Sequence, residues 1–415
     1  MKQKGSGINK GRLKIVWLCH FSNQEMKEYF NVTTEPEFAP WINLLIQLFK
    51  ERKDIEIHII APNVFNNKDC NFEKNGIHYY FYKINPLPIN NRYLNRIYTI
   101  LKIDINTNYI WIKNKIGKNI HKINPDLIHL NGAENPYYSA GILPLIDKYP
   151  TLVTIQGFIR NEETNINSNI KNRVKIEETI IKKASHFGVR TDEMNKIILQ
   201  INPEATLHFH SYPYQIPKII KSNIGDNEPI DCLFFGRVCR DKGIEDLLLA
   251  ISIAKKENPS ISLVVIGGIS TKYVSFLKKI CSELGIEKNV QFLGFLPTQE
   301  DIYKYAVQAK MCVLPTFHDT IPGTIIESMF MKLPVVAYAV GGIPEINRTE
   351  ENIVLVEKRN VKQLSEKIIQ LLNNVELRKT LAEKSFVDAY QRFDKDVCND
   401  IMSAYNKILN LKHQD

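Results

Sequence analysis

Apolar residues along this chain follow two rhythms. Short runs rich in β-branched and aromatic residues occupy 14–19, 55–60, 77–82, 127–130, 151–155 and 206–209. A second series occupies 231–235, 261–266, 289–293, 311–314, 334–338 and 353–356. Such continuous apolar runs predict strands covered on both faces. Between them, 38–51, 136–148, 169–183, 244–256, 272–284, 299–308, 324–331 and 361–373 carry apolar residues at helical spacing. Strand–helix alternation of this kind predicts an α/β fold of parallel, doubly wound sheets.

The alternation breaks once, at 211–230, where SYPYQIPKIIKSNIGDNEPI holds three prolines and no clean period. Proline punctuation of that density marks an interdomain linker. The expected organisation is a domain over 1–210, the linker, a second domain over 231–393 and a helix over 394–415. At 415 residues the chain exceeds one ordinary core, which agrees with two domains. Ligands of doubly wound sheets bind at the carboxyl ends of the strands, so two facing domains predict a cleft site.

Composition narrows the function classes. Seven scattered cysteines without a Cys-x-x-Cys pair give neither a disulfide framework nor a zinc knuckle. No apolar run long enough for a membrane span is present, and the expectation is a cytoplasmic protein. The net charge of +9 suits phosphorylated ligands or an anionic membrane surface. No nucleic-acid-binding signature accompanies it. Residues 91–124 interleave seven cations with aromatic and aliphatic residues. That stretch reads either as a membrane-surface helix or as a helix with one solvated face over an ordinary core.

The densest chemistry lies in 318–345, HDTIPGTIIESMFMKLPVVAYAVGGIPE. It holds two acids, Asp319 and Glu327, and two glycine turns, Pro322-Gly323 and Gly341-Gly342. Helix starts offer unpaired N–H groups to phosphate, and carboxylates accept hydrogen bonds from hydroxyls. A phosphate-plus-polyol ligand fits both. Upstream, 235–243 reads FGRVCRDKG directly after a strand. There Gly236 ends the strand, and Arg237 and Lys242 bring two cations to one turn, which suits a diphosphate. By contrast, Asp394-Lys395-Asp396 opens a helix and reads as a cap. His208 and His210 share a strand face without a third metal ligand, so no metal site is assigned.

The ordered set FGR-xxxx-KG, an acid, seven residues and then Glu, PVVA and GGxPE resembles glycosyltransferase family 4. LVVIGG at 263–268 and VQFLGFLP at 290–297 extend the resemblance over roughly 228–390. It implies a GT-B fold: two Rossmann-like domains facing a cleft, with the C-terminal helix crossing back to the N-terminal domain. It also implies a retaining glycosyltransferase without metal or other cofactor. A UDP- or GDP-sugar would bind the C-terminal domain, and a saccharide or lipid-linked saccharide acceptor the N-terminal one. Surface polysaccharide or glycoconjugate synthesis is the implied setting.

Residue by residue, Arg237 and Lys242 match the family pair on the donor diphosphate. Glu327 matches the ribose-binding acid, and Asp319 stands where the family usually has Glu beside the donor sugar. Ile321, Pro322, Gly323 and Thr324 match its Gly-rich loop, and Gly294 and Phe295 the segment flanking the base. On the acceptor side, TLVTIQGF resembles the family's T-x-H-G turn with Gln156 in place of His. His20 and Asn23 follow the first strand, His129 lies in PDLIHLNG, and Arg190 follows another strand. Gln cannot titrate, so a general base at position 156 is not expected. A GT-B sugar-nucleotide epimerase and a non-catalytic nucleotide-binding subunit remain as alternative readings.

Overall fold

A computed structural model describes residues 12–32, 39–66, 68–86, 100–161, 168–221, 229–393 and 396–412. The glycines at positions 5, 7 and 11 and the segment 91–99 lie outside these residues.

The first sheet comprises β1 (Leu13–Leu18), β2 (Ile55–Pro62), β3 (Cys70–Lys74), β4 (Ile77–Tyr82), β5 (Leu127–Asn131), β6 (Thr151–Thr154), β7 (His186–Val189) and β8 (Thr206–Phe209). Its order is β3-β4-β2-β1-β5-β6-β7-β8. All pairings are parallel except β3 with β4. The second sheet comprises β9 (Ile230–Phe235), β10 (Leu263–Ile266), β11 (Val290–Gly294), β12 (Ala309–Leu314), β13 (Val335–Tyr338) and β14 (Val354–Val356). Its order, β11-β10-β9-β12-β13-β14, is that of a dinucleotide-binding sheet.

Both sheets are covered on two faces, as their apolar runs require. One face of the first sheet packs Val16, Ile128 and Val153 against Ile112, Ile116 and Ile120 of helix Ile110–Ile123. The apolar stripe of that helix is therefore spent on the core. This favours the reading of a helix with one solvated face over the core; among the described residues nearby, Ile100, Leu101 and Ile110 stay exposed. The opposite face packs Ile15, Trp17 and Leu152 against Ile42 and Leu45 and, from far along the chain, Ile401 and Tyr405. Helix Val397–Lys412 thus crosses back onto the N-terminal domain. Its cap is Asp396, whose carboxylate accepts from the Asn399 N–H at 3.1 Å; Asp394 lies outside the described residues.

A directed chain of hydrogen bonds runs through this core. Trp17 Nε1 donates to the Tyr405 hydroxyl at 3.0 Å, and that hydroxyl meets His129 Nδ1 at 2.7 Å. His129 Nε2 meets Thr154 Oγ1 at 2.7 Å, which meets His210 Nε2 at 3.0 Å, and His210 Nδ1 reaches the Ser211 carbonyl. Donors and acceptors balance when both imidazoles are neutral. Burial enforces that state, pushing His129 well below its usual range and His210 to about 4.

Candidate active site

The C-terminal sheet reverses its order between β9 and β12, and the loops after these two strands lie together. Gly236 leaves β9 with φ +136°, in a region open to glycine, and Thr324 Oγ1 donates to the Phe235 carbonyl at 3.1 Å. The next residues form a single 3-10 turn, Arg240–Lys242, closed by Gly243 in the left-handed region. A Cβ on Gly243 would sit 1.8 Å from the Pro315 carbonyl oxygen, so only glycine lets the two loops touch. The Phe317 N–H then donates to the Asp241 carbonyl at 2.8 Å, locking the loop after β9 onto the loop after β12. The result is a direct ion pair between Lys242 Nζ and Asp319.

Helix Gly323–Phe330 starts without a side-chain cap, after Pro322. Of its first-turn N–H groups, that of Ile325 donates to the Pro322 carbonyl at 3.0 Å, and those of Gly323 and Thr324 precede the first intrahelical bond. One turn in, Glu327 accepts from Gln299 Nε2 at 2.7 Å. Burial dominates its environment and pushes its carboxyl up to about 7, with the Gln299 bond opposing the shift. A carboxyl at that level is poised between donor and acceptor states near neutrality.

These groups line one cavity of about 570 Å³ between the two sheets. Arg237, Lys242, Asp319, Ile321, Pro322, Gly323, Thr324, Glu327 and Gly236 border it from the C-terminal domain, and Gln156 and Arg190 from the N-terminal domain. A second cavity of about 530 Å³ adjoins it and shares Arg237, Lys242, Asp319, Gln156 and Glu134. The cations and Asp319 thus stand on the boundary between two spaces, each large enough for a small ligand.

Cross-domain bonds set this geometry. Thr320 Oγ1 donates to the Gln156 carbonyl at 3.2 Å, and Arg190 donates to the same oxygen at 2.9 Å. The Gln156 side chain is tied back to the Asn131 carbonyl at 2.9 Å. Glu345, the acid of the GGIPE segment, accepts from the Asp192 N–H at 2.8 Å. It thereby caps helix Asp192–Ile201 of the other domain, and Arg348 pairs with Asp192 at 2.5 Å.

Five sequence-predicted positions lie elsewhere. His129 is wholly buried, held by Tyr405 and Thr154, and serves the core. Asn23 caps helix Gln24–Phe30, accepting from the Met26 N–H at 2.9 Å. His20 stacks on Tyr138, with ring centroids 6.2 Å apart, and lines neither cavity. Gly294 and Phe295 also lie off both linings, and Phe295 is exposed. His208 turns to His186 at 3.2 Å while His210 joins the buried chain, so the two do not converge.

Other lining residues carried no prediction. Tyr212, inside the presumed linker, stacks on Trp41 and lies under the Arg190 guanidinium at 3.6 Å. Glu134 follows β5 and accepts from Tyr138 at 2.8 Å. Arg173 reaches the Glu134 carbonyl at 3.0 Å and borders the second cavity. Glu134 alone had a signal, an acid just past a strand end beside the sheet's switch point.

Residues 215–387 match the model of the family Glycosyl transferases group 1. The fold matches that of sucrose-phosphate synthase from Thermosynechococcus elongatus with a TM-score of 0.74. The identity is 17%, and 96% of this chain and 100% of that one are covered. The fold is GT-B. Anabaena HepE, solved in complex with UDP-glucose, shares this GT-B architecture at a TM-score of 0.67 and 17% identity, covering 96% and 99% of the two chains. Two uncharacterized glycosyltransferases of Methanocaldococcus jannaschii are similar in sequence. One is 27% identical over 226 residues, 53% of this chain and 56% of its own length. The other is 26% identical over 339 residues, 81% of this chain and 85% of its own. The family model and the two sequence relatives are of glycosyltransferases, and the solved structures share the fold.

Proposed function

We propose that this protein is a retaining glycosyltransferase that moves a hexose from a UDP- or GDP-sugar to a saccharide or lipid-linked saccharide. The observation that carries the reading is the convergence of Arg237, Lys242, Asp319 and Glu327 on one cavity at the switch point of the C-terminal sheet. Glu327 accepts the ribose hydroxyls. Arg237 and Lys242 take the diphosphate and offset the charge that grows on it as the sugar leaves. Two fixed cations do here what a bound divalent ion does in other designs, so the scheme requires no cofactor. Lys242 exchanges part of its pairing with Asp319 for the diphosphate, which leaves Asp319 to accept from a donor-sugar hydroxyl.

The acceptor enters the second cavity, under Gln156 and Glu134. Its attacking hydroxyl bonds to the anomeric carbon as the bond to the diphosphate oxygen breaks, and its proton passes to that oxygen on the same face. Gln156, anchored at Asn131, positions and does not titrate. Gly294 and Phe295 meet the base upon closure of the cleft. No helix among the described residues is long and apolar enough to cross a membrane. Lys113, Lys115, Lys118 and Lys148 border a surface groove beside the exposed Ile110, and this face meets anionic lipid at the cytoplasmic side.

The adjoining second cavity favours transfer over epimerisation, which needs no acceptor site. The test is a thermal-shift screen of UDP- and GDP-sugars, followed by incubation of the stabilising donor with and without saccharide acceptors. Nucleoside diphosphate released only with an acceptor supports transfer. A changed sugar from donor alone indicates epimerase, and tight binding without turnover under any acceptor indicates a binding subunit.

A further inference from the structure

Away from the cleft, the opposite end of the first sheet gathers a second set of chemistry-bearing side chains. Glu56 and His58 are the second and fourth residues of β2, and His78 is the second of β4. The parallel register sets His58 directly beside His78. Their rings stack at 4.6 Å with planes 13° apart. Both Nε2 atoms turn to one carboxylate oxygen, Glu56 Oε1, at 2.7 Å from His58 and 3.6 Å from His78. The three ligand atoms lie within 4.8 Å of one another. Donors around a tetrahedral ion with metal–ligand distances of about 2.0–2.1 Å lie about 3.4 Å apart. The observed spacing brackets that value.

The far side of each imidazole is also furnished. His58 Nδ1 lies 3.3 Å from the Tyr80 hydroxyl, and His78 Nδ1 lies 3.5 Å from Glu73 Oε2 on β3. An oxygen on the outer ring nitrogen fixes the tautomer that turns the inner nitrogen to a metal, and such partners accompany metal-binding histidines. An unrelated surface histidine pair has no reason to share one acceptor while each also holds an oxygen behind it.

We propose that Glu56, His58 and His78 form a binding site for one divalent transition-metal ion of the zinc class, clamping the edge strands β3 and β4 to β2. Two imidazoles and one carboxylate suit zinc, nickel or copper and not magnesium or calcium. The site provides three protein ligands and leaves a fourth position to water. It lies at the amino ends of the strands, whereas the cleft lies at their carboxyl ends, so the ion is structural and takes no part in sugar transfer.

The test uses the full, tag-free chain stripped with a chelator and titrated with Zn2+ against a chromogenic competitor. Far-UV circular dichroism checks each variant's fold. Wild type is expected to take up one tight equivalent that His78→Gln loses. Glu73→Gln, which removes no ligand, is expected to weaken it about tenfold or more. Zn2+ should raise the melting temperature of wild type but not of His78→Gln, and Mg2+ should raise neither. Cobalt substitution separates this site from the seven thiols, because it should show no thiolate-to-metal absorption. Absence of a tight equivalent, equal affinity in folded His78→Gln, or a thiolate band each overturns the proposal.

Discussion

Replacing Glu327 by Gln should stabilise the free protein while weakening its hold on nucleotide. The carboxyl's shift from 4.5 to about 7 sets the size of the first effect. At 1.36 kcal/mol per unit, holding the ionised group in the folded state costs about 3 kcal/mol, less whatever residual solvent contact relieves. The sign follows from the direction of the shift. A carboxyl raised by burial binds its proton more tightly folded than unfolded. The penalty is absent below pH 4.5, grows between 4.5 and about 7, and is complete above 7. Gln keeps the shape, can still accept from Gln299 and carries no charge to bury. The variant should therefore unfold at higher urea than wild type at pH 8, by about 1–3 kcal/mol, and the gap should close towards pH 4.5. The same group governs the ribose contact. Hydrogen bonds to a charged group contribute about 1.5–3 kcal/mol, so UDP or GDP should bind the variant about 10- to 100-fold more weakly by calorimetry. Wild-type affinity should rise from pH 6 to 8 as the carboxyl ionises, whereas that of Glu327→Gln should stay flat. A variant no more stable at pH 8, with unchanged nucleotide affinity, would refute both the burial argument and the ribose assignment.

Three further outcomes are expected. Arg237→Ala or Lys242→Ala should each lower kcat at least about 100-fold with the fold intact, since each removes a donor aimed at developing charge; near-normal turnover in either folded variant rejects that role. The neutral His210, at about 4, contributes stability that is present above pH 6.5 and lost as pH falls towards 4, about 3 kcal/mol in all. Urea titrations of wild type and His210→Gln across that window should diverge by this amount. Gly341→Ala should perturb the cleft, because its Cβ would stand 1.8 Å from the Asp319 carbonyl oxygen; crystallography or nucleotide calorimetry showing wild-type behaviour would count against that close approach.

Most strands were legible because a parallel sheet buried on both faces leaves unbroken apolar runs, as in LVVI of β10 and VVAY of β13. β3 was not, because CNFEK alternates as a half-exposed edge strand and resembles a loop in composition. Helices Gln24–Phe30 and Val375–Phe393 escaped for a related reason. The first is short and held by its Asn23 cap, and the second buries polar groups such as Arg378, which donates to the Leu371 and Leu372 carbonyls. On the donor side, residues close in sequence are close in space, so Asp319 to Glu327 could be read as a unit. Tyr212 and Gln299 join the cavity through tertiary packing from two distant segments, and no local pattern marks them. His129 shows the converse, since an ionisable side chain at a strand end looks functional until Tyr405, far along the chain, supplies its partner.

The return of helix Val397–Lys412 to the first domain has a consequence during synthesis. Trp17, Leu152 and His129 lack their cover until Tyr405 has left the ribosome. At about 5–20 residues per second, the stretch between residue 210 and this helix delays completion of the first core by roughly 10–40 s. During that interval a nascent N-terminal half presents an apolar sheet face covered only in part, by Ile42, Leu45 and Phe49. The second domain must emerge before the first can finish, which makes this a two-domain protein whose halves mature together and a natural client for chaperones on the ribosome.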